Sequence, residues 1–264
     1  YKFVTAFVIV MLALGGMPVS PAFAAVSTPT WFSAANGTTG PITITPAQLT
    51  CAAGANRLLV VMVIAEYNNA NVMTLTVTKG VALTQAVKTT GNTRTGIWIG
   101  YLNDAQITAN AASNIVVTEP AGGNAWQSVN VHVTCLTGVN QTTPIVAGGT
   151  AFNSSDANIG NYTFNNVPAV TTGLMIYAAG HNGSNDFTAP TDYFESFDTA
   201  GSSLRVTAGY KAITATGNES GTIDFNNNDR YAAAVISVNP APATHVGDGI
   251  SPAVSTRQRT GPGD

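Results

Sequence analysis

The sequence predicts an all-β protein, a single antiparallel two-sheet β-sandwich. Residues 58–65 (Leu-Leu-Val-Val-Met-Val-Ile-Ala) form an uninterrupted apolar run. A run of this length is too short to cross a membrane and is typical of a strand buried on both faces. Residues 72–78 alternate between polar and apolar side chains, which is the pattern of a strand with one buried face. Beyond residue 24 no segment has a helical period, so strands are expected to build the domain.

The composition excludes one large class of partners. Only 9% of the 264 residues are charged, and the net charge is −3. A typical globular chain carries charges on about a quarter of its residues. Because there is no basic surface to neutralise phosphates, nucleic acid is not an expected partner.

The first 24 residues are predicted to be a signal peptide that contains a short apolar helix. Lys2 supplies a positive start, residues 3–14 an apolar run, and Ala22-Phe23-Ala24 a cleavage site of small residues. An uncleaved membrane anchor is the alternative. Cleavage would give a secreted or cell-surface protein without membrane contact.

The remainder divides at residue 240. Residues 25–240 are predicted to form the β-sandwich domain. Residues 241–264 are rich in Pro, Thr and Gly and are predicted to be a linker or disordered tail.

Strands are predicted along the whole domain, separated by turns rich in Gly, Asn and Pro. The predicted strands are residues 25–36, 41–45, 58–65, 72–78, 81–87, 94–102, 114–118, 128–136, 162–164, 174–179, 193–197, 204–211, 222–225 and 232–238. The polar segment between residues 136 and 166 is otherwise predicted to be irregular.

Alternation within two of these strands predicts which side chains face the core. In the strand 94–102, Ile97, Ile99 and Tyr101 share one face and are assigned to the core, which places Trp98 on the outer face. In the strand 128–136 the valines are assigned to the core, and the polar residues between them, His132 included, are expected to face outward.

A weak internal repeat divides the domain into two halves. Each half has a buried strand, a polar loop, a strand ending in Gly-Tyr, a short strand and an apolar last strand. The segments that correspond are 58–65 and 174–179, 97–101 and 206–210, 115–117 and 223–225, and 129–133 and 233–238. The repeat predicts two similar strand sets, each covering the apolar face of the other.

Two cysteines are candidates for a disulfide. Cys135 ends a predicted strand with the parity of its inward-facing valines, and Cys51 lies a short turn before the central run. Export would permit a bridge between these strand ends. Two separate small core residues are the alternative.

Three strings resemble a β-sandwich module of large bacterial secreted and cell-surface proteins. They are Asn-Arg-Leu-Leu-Val-Val from residue 56, Ala-Leu-Thr from residue 82, and Gly-Val-Asn-Gln-Thr-Thr-Pro from residue 138. The resemblance spans roughly residues 56–240 and departs at Lys79, where a Tyr-Gly-Gly turn is usual, and at Asn140, where Asp is usual. It implies a jelly-roll-like sandwich outside the cell and assigns no catalytic residues.

Glycan binding by a sandwich would use exposed aromatic side chains as platforms. The candidates are Trp126, Trp98, Tyr67 and Tyr193, with packing beneath loops as the alternative. No cofactor is expected. A structural calcium ion is a weaker possibility, with Asp186, Asp224 and Asp229 as oxygen ligands in Asn-rich loops. None of the three histidines has a second His or Cys at the spacing of a zinc site.

Three functions follow as hypotheses. The first is a secreted, non-catalytic sandwich for adhesion or glycan binding, whose partner is an extracellular glycan or surface polymer. The second is a self-associating subunit of a filament or surface layer, in which residues 25–50 or the tail are donated as a strand to a neighbour. The third is a polysaccharide-acting enzyme, which would need two carboxylates about 5–10 Å apart. No spacing in the sequence singles out such a pair.

Overall fold

Nearly all regular structure in the described part of the chain is β-strand, which confirms the predicted fold class. The computed structural model describes residues 23–34, 41–49, 51, 53–119, 126–183, 185–200 and 203–243. The predicted signal helix and the tail beyond residue 243 lie outside these residues. The described residues up to 242 belong to one compact unit. No helix among them is both long and apolar enough to span a membrane.

Fourteen strands and one α-helix make up the described part of the chain. In order they are β1 (Phe32–Ala34), β2 (Ile42–Ile44), β3 (Leu58–Val72), β4 (Thr76–Lys79), β5 (Val81–Ala82), β6 (Thr84–Lys88), β7 (Asn92–Asn103), α1 (Asp104–Ala109), β8 (Ile115–Thr118), β9 (Trp126–Leu136), β10 (Ile145–Ala169), β11 (Leu174–His181), β12 (Phe194–Ala200), β13 (Arg205–Ala212) and β14 (Gly217–Val238). A 3-10 turn, Pro46–Gln48, follows β2.

The strands form three antiparallel sheets. Sheet I has the order β1-β9-β3-β7-β6, sheet II the order β10-β14-β11-β13-β12, and sheet III the order β2-β8-β4-β5. The two-sheet sandwich is the pair of sheets I and II, and sheet III is an additional layer.

The apolar run of β3 is buried on both faces, as predicted. Leu58, Val60 and Met62 pack against sheet II. Their neighbours Leu59 and Val61 pack against sheet III, and all five side chains are fully buried. Sheet III therefore exists because the outer face of sheet I is apolar and has to be covered.

Sheet II is covered by its own two longest strands. Beyond Ser155 and Tyr231, β10 and β14 continue as a paired ribbon whose Phe164 and Phe225 lie in one buried apolar cluster with Met175 and Tyr177 of β11. The prediction of an irregular segment between residues 136 and 166 is wrong, since β10 begins at Ile145 and runs through it. Its pairing shifts register several times, and these bulges admit the Gly and Asn residues that suggested loops.

Sheets I and II repeat the same strand order. The order β9-β3-β7-β6 in sheet I corresponds to β14-β11-β13-β12 in sheet II, in agreement with the predicted repeat. Tyr101 of β7 pairs with Thr84 of β6, and Tyr210 of β13 pairs with Phe194 of β12. Each pair is followed by a register shift, so the extra residue of the bulge has the same position in both halves, Ala86 in β6 and Ser196 in β12.

Helix α1 was not predicted from the sequence. Asn103 caps it, because its side chain accepts a hydrogen bond from the backbone N–H of Gln106 while Gln106 Oε1 accepts one from the backbone N–H of Asn103. At the other end, Nζ of Lys79 donates to the carbonyls of Asn110 and Ser113 at 2.8 and 2.6 Å. Lys79, a departure from the resembled module, therefore anchors the end of this helix.

The N-terminal segment proposed for donation to a neighbour is used within its own chain. β1 pairs with β9, and β2 pairs with β8. The backbone N–H of Val26 also donates to the carbonyl of Thr172 at 2.9 Å. Within residues 25–50, β1 and β2 are therefore already paired, β1 in sheet I and β2 in sheet III, whereas the tail beyond residue 243, the alternative donor, lies outside the described residues.

Cys51 and Cys135 form a disulfide bond with a Cα–Cα distance of 5.2 Å. Cys135 pairs with Leu59 across β9 and β3, and Cys51 packs at the margin of the core between sheets I and III. The bond ties the segment before β3 to the end of β9, across 84 residues of chain.

The disulfide should stabilise the fold substantially. Closing a loop of 84 residues removes chain entropy from the unfolded state, so Cys51→Ser with Cys135→Ser should lower the free energy of unfolding by about 4 kcal/mol. Guanidinium unfolding of the variant and of the oxidised protein measures the difference. Wild-type protein in reductant should behave like the variant, and equal midpoints in all three samples would contradict the prediction.

Candidate functional site

The four aromatic residues predicted as glycan platforms are buried. Relative exposure is 5% for Trp98, 2% for Trp126, 1% for Tyr67 and 9% for Tyr193. The expectation that they offer exposed platforms is therefore wrong. Trp98 does lie on the opposite face from Ile97, as predicted, but sheet III covers that face.

All four aromatics belong to buried hydrophobic clusters, Tyr67, Trp98 and Trp126 to the one between sheets I and III and Tyr193 to the one beneath the ribbon of β10 and β14. The ring of Trp98 lies over Gly100, where an added Cβ would come within 2.1 Å of the indole, so the glycine makes room for it. Burial raises the pKa of Tyr67 to about 12. Tyr193 packs beneath the ribbon of β10 and β14, edge-on to Phe164 with ring centroids 5.9 Å apart.

The calcium candidates are engaged in loop contacts. Asp186 forms an ion pair with Arg205. Asp224 Oδ1 accepts a hydrogen bond from the backbone N–H of Asn226 at 2.8 Å, and the Asn226 amide donates to the carbonyl of Asp186 at 2.7 Å. The side chain of Asp229 is not among those that the structure describes. Within the described residues no group of three or more His, Cys, Asp or Glu side chains could hold a metal ion.

A pocket of about 340 Å³ opens where the edges of sheets I and II meet. We call it the seam pocket. The residues that line it come from two walls: Pro29, Thr30, Trp31 and Ser33 at β1, and Phe194, Ser196, Phe197 and Tyr210 at β12 and β13. Among these lining residues, four are aromatic, three carry an aliphatic hydroxyl and none is charged.

Aromatic contacts hold the walls in place. The ring of Trp31 meets that of Phe197 edge-on, with centroids 6.0 Å apart. The ring centroids of Phe194 and Tyr210 are 5.3 Å apart. Phe194 is 61% exposed, so its ring offers an apolar face to a ligand. Ser196 is the extra residue at the register shift of β12, and such bulges commonly redirect side chains at functional sites.

Behind the pocket, β9 carries a buried polar row. Ser128, Asn130, His132 and Thr134 are at most 6% exposed, although they were predicted to face outward. They occupy the face of β9 turned toward sheet II, and the valines between them pack against sheet III, so both faces are internal. Each of the four has a side-chain atom without a hydrogen-bond partner among the described residues.

His132 contacts both walls of the seam pocket. Its Nδ1 shares a hydrogen bond of 2.8 Å with the Ser33 hydroxyl, and its ring stacks on Phe197 with centroids 4.1 Å apart. Burial lowers the pKa of His132 to about 4, so the imidazole is neutral at physiological pH.

The repeat provides an internal comparison for the site. With Tyr101 aligned on Tyr210, the seam residues Phe194, Ser196 and Phe197 correspond to Thr84, Ala86 and Val87. The same alignment, carried through the central strands, makes Ala234 the counterpart of His132. His132 pairs with Met62, and Ala234 pairs with the equivalent residue Ala178. The same strand arrangement therefore forms with small or aliphatic residues at the positions that the seam residues and His132 occupy. A comparison of the two halves of the sequence would have singled out these residues, whereas the choice of individual aromatic residues did not.

The buried imidazole should make the fold sensitive to acid. The pKa of His132 is about 4 when folded and about 6.5 when unfolded, so protons bind the unfolded chain more strongly. The stability that His132 contributes should be fully present above pH 6.5 and should fall by about 3 kcal/mol as the pH drops to 4.

Urea unfolding at pH 7, 5 and 4 measures this loss. His132→Gln removes the titrating group, so the variant should lose less stability than the wild type over the same range. Parallel losses in both proteins would assign the acid sensitivity to other groups.

Comparison with known proteins adds no family assignment. The chain matches no protein-family model, no curated protein and no solved structure.

Proposed function

We propose that the protein is a secreted, non-catalytic β-sandwich that binds an uncharged glycan in the seam pocket, for adhesion at a cell surface or in a matrix. The composition of the pocket supports this proposal above all. Sugar rings present apolar C–H faces and hydroxyl groups, and the lining supplies aromatic faces beside the exposed, hydroxyl-bearing residues Thr30 and Ser33.

The size and charge of the pocket narrow the ligand. A volume of about 340 Å³ is at the small end for ligand sites, which favours a single terminal sugar residue over a long stretch of polymer. Sulfated or acidic sugars would leave their charges unpaired at the uncharged lining, so neutral glycans fit better. The absence of a carboxylate from the lining residues also favours binding over hydrolysis at this pocket.

Phe194→Ala should weaken glycan binding about tenfold, because it removes the exposed aromatic face. Affinity electrophoresis through hydroxyethylcellulose, xyloglucan, galactomannan and soluble starch measures the retardation of residues 25–264. Phe152→Ala is the matched control, because Phe152 is 43% exposed on β10 at the opposite edge of sheet II.

Three results would decide against the proposal. They are the absence of retardation by any neutral polysaccharide, equal retardation of Phe194→Ala and wild type, and equal losses in both phenylalanine variants. Release of reducing ends from a retarding polysaccharide would instead favour the polysaccharide-acting enzyme.

A self-associating filament or layer subunit is the second candidate. The outer edge of β12, residues Phe194–Ala200, pairs with no strand among the described residues, and such an edge can accept a strand from a neighbour. Concentrated protein should then form filaments visible by electron microscopy, and Thr199→Pro should reduce them by blocking the edge. A monomer at all concentrations would count against this candidate.

A further inference from the structure

We infer that His132 is a positioning residue of the seam pocket, holding the β1 wall and the β12 wall at a fixed separation. The inference rests on the proposed function, because it treats the pocket as a binding site. His132 itself is 2% exposed and does not line the pocket, so it would act only through the residues it touches.

The two walls belong to different sheets. β1 is the edge of sheet I and β12 the edge of sheet II, so no ladder of backbone hydrogen bonds joins them. His132 contacts each wall once, through the Ser33 hydroxyl at 2.8 Å and the Phe197 ring at 4.1 Å. A single side chain therefore links an exposed serine on one wall to an aromatic ring on the other.

Phe197 transmits this contact to the rest of the pocket. Its ring is held between the imidazole of His132 and the edge-on indole of Trp31. Without the imidazole, the ring of Phe197 can move toward the core, and Trp31 then loses its neighbour. We therefore expect the shape of the pocket, and not only its stability, to depend on His132.

The scaffold alone does not require a histidine at this position. Its counterpart is Ala234, and Ala234 pairs with Phe152 on β10 where His132 pairs with Ser33 on β1. The other half thus closes its core with alanine. His132 also leaves Nε2 without a partner among the described residues, and an unsatisfied buried polar atom lowers the stability of the folded state. A costly residue that the equivalent half does without points to a role in the site.

Three variants separate the contacts that His132 makes. His132→Ala removes both of them, His132→Phe keeps a ring beneath Phe197 but loses the hydrogen bond, and Ser33→Ala removes the hydrogen bond from the other side. Asn130→Ala is the matched control, because Asn130 lies on the same strand and face, and its counterpart by the same alignment is Ala232. Urea unfolding confirms that each variant is folded before it is used.

Binding to hydroxyethylcellulose and galactomannan by affinity electrophoresis is the first readout. We expect at least a tenfold loss for His132→Ala, a smaller loss for His132→Phe and Ser33→Ala, and none for Asn130→Ala. The double variant His132→Phe with Ser33→Ala should bind no worse than Ser33→Ala alone, because both changes remove the same hydrogen bond.

The indole N–H signals of Trp31, Trp98 and Trp126 in ¹⁵N–¹H NMR spectra are a second readout, which needs no ligand. His132→Ala should shift the signal of Trp31 and leave those of Trp98 and Trp126 unchanged, whereas Asn130→Ala should shift none of them. A shift of Trp31 without any glycan binding would support the positioning role and contradict the proposed function.

Two results would overturn the inference. One is an unshifted Trp31 signal in folded His132→Ala. The other is glycan retardation in that variant equal to the wild type, which would leave the glycan-binding function standing without His132.

Discussion

The structure depends on one constraint, the need to cover both faces of β3. Every residue from 58 to 65 is fully buried, so apolar layers must lie on both sides of sheet I. Sheet II supplies one layer and sheet III the other. Sheet II meets the same requirement with the ribbon of β10 and β14. The seam pocket lies outside this closed interior, where the edges of sheets I and II meet.

The approximate repeat serves as a reference for judging individual residues. The halves agree at Tyr101 and Tyr210 and at the bulges of β6 and β12, so these features belong to the strand arrangement that both halves share. Where the halves differ, the residue has to be explained by its local contacts. Lys79 and helix α1 have a structural purpose, because the ammonium group satisfies carbonyls at the end of that helix. Phe194 is different, because its ring is largely exposed at the position where the other half has Thr84.

The sequence predicted the strand content, the central strand and the pairing of corresponding segments, because those depend on short-range alternation. It failed where burial depends on a distant layer. Trp98 was placed on the correct face, but its exposure was decided by sheet III, whose strands have only short apolar patterns. His132 looked like a surface residue because the valines on the other face of β9 were assigned to the core, whereas both faces are covered and sheet II covers the face of His132. The cap of α1 could have been recognised, because Asn103 and Gln106 have the spacing of a capping box.

The polar row on β9 connects the fold to the site. Hydrogen-bonding groups are usually satisfied in a core, and several adjacent unsatisfied groups lower stability. At the positions that correspond to Asn130, His132 and Thr134, β14 has Ala232, Ala234 and Ile236, whose side chains have no polar group to satisfy. Retaining the polar row makes sense where a rigid contact is needed more than maximal stability, and His132 makes two such contacts with residues that line the pocket. The hydroxyls of Ser128 and Thr134 and the amide nitrogen of Asn130 have no hydrogen-bond partner among the described residues, so for these atoms no hydrogen bond offsets the cost.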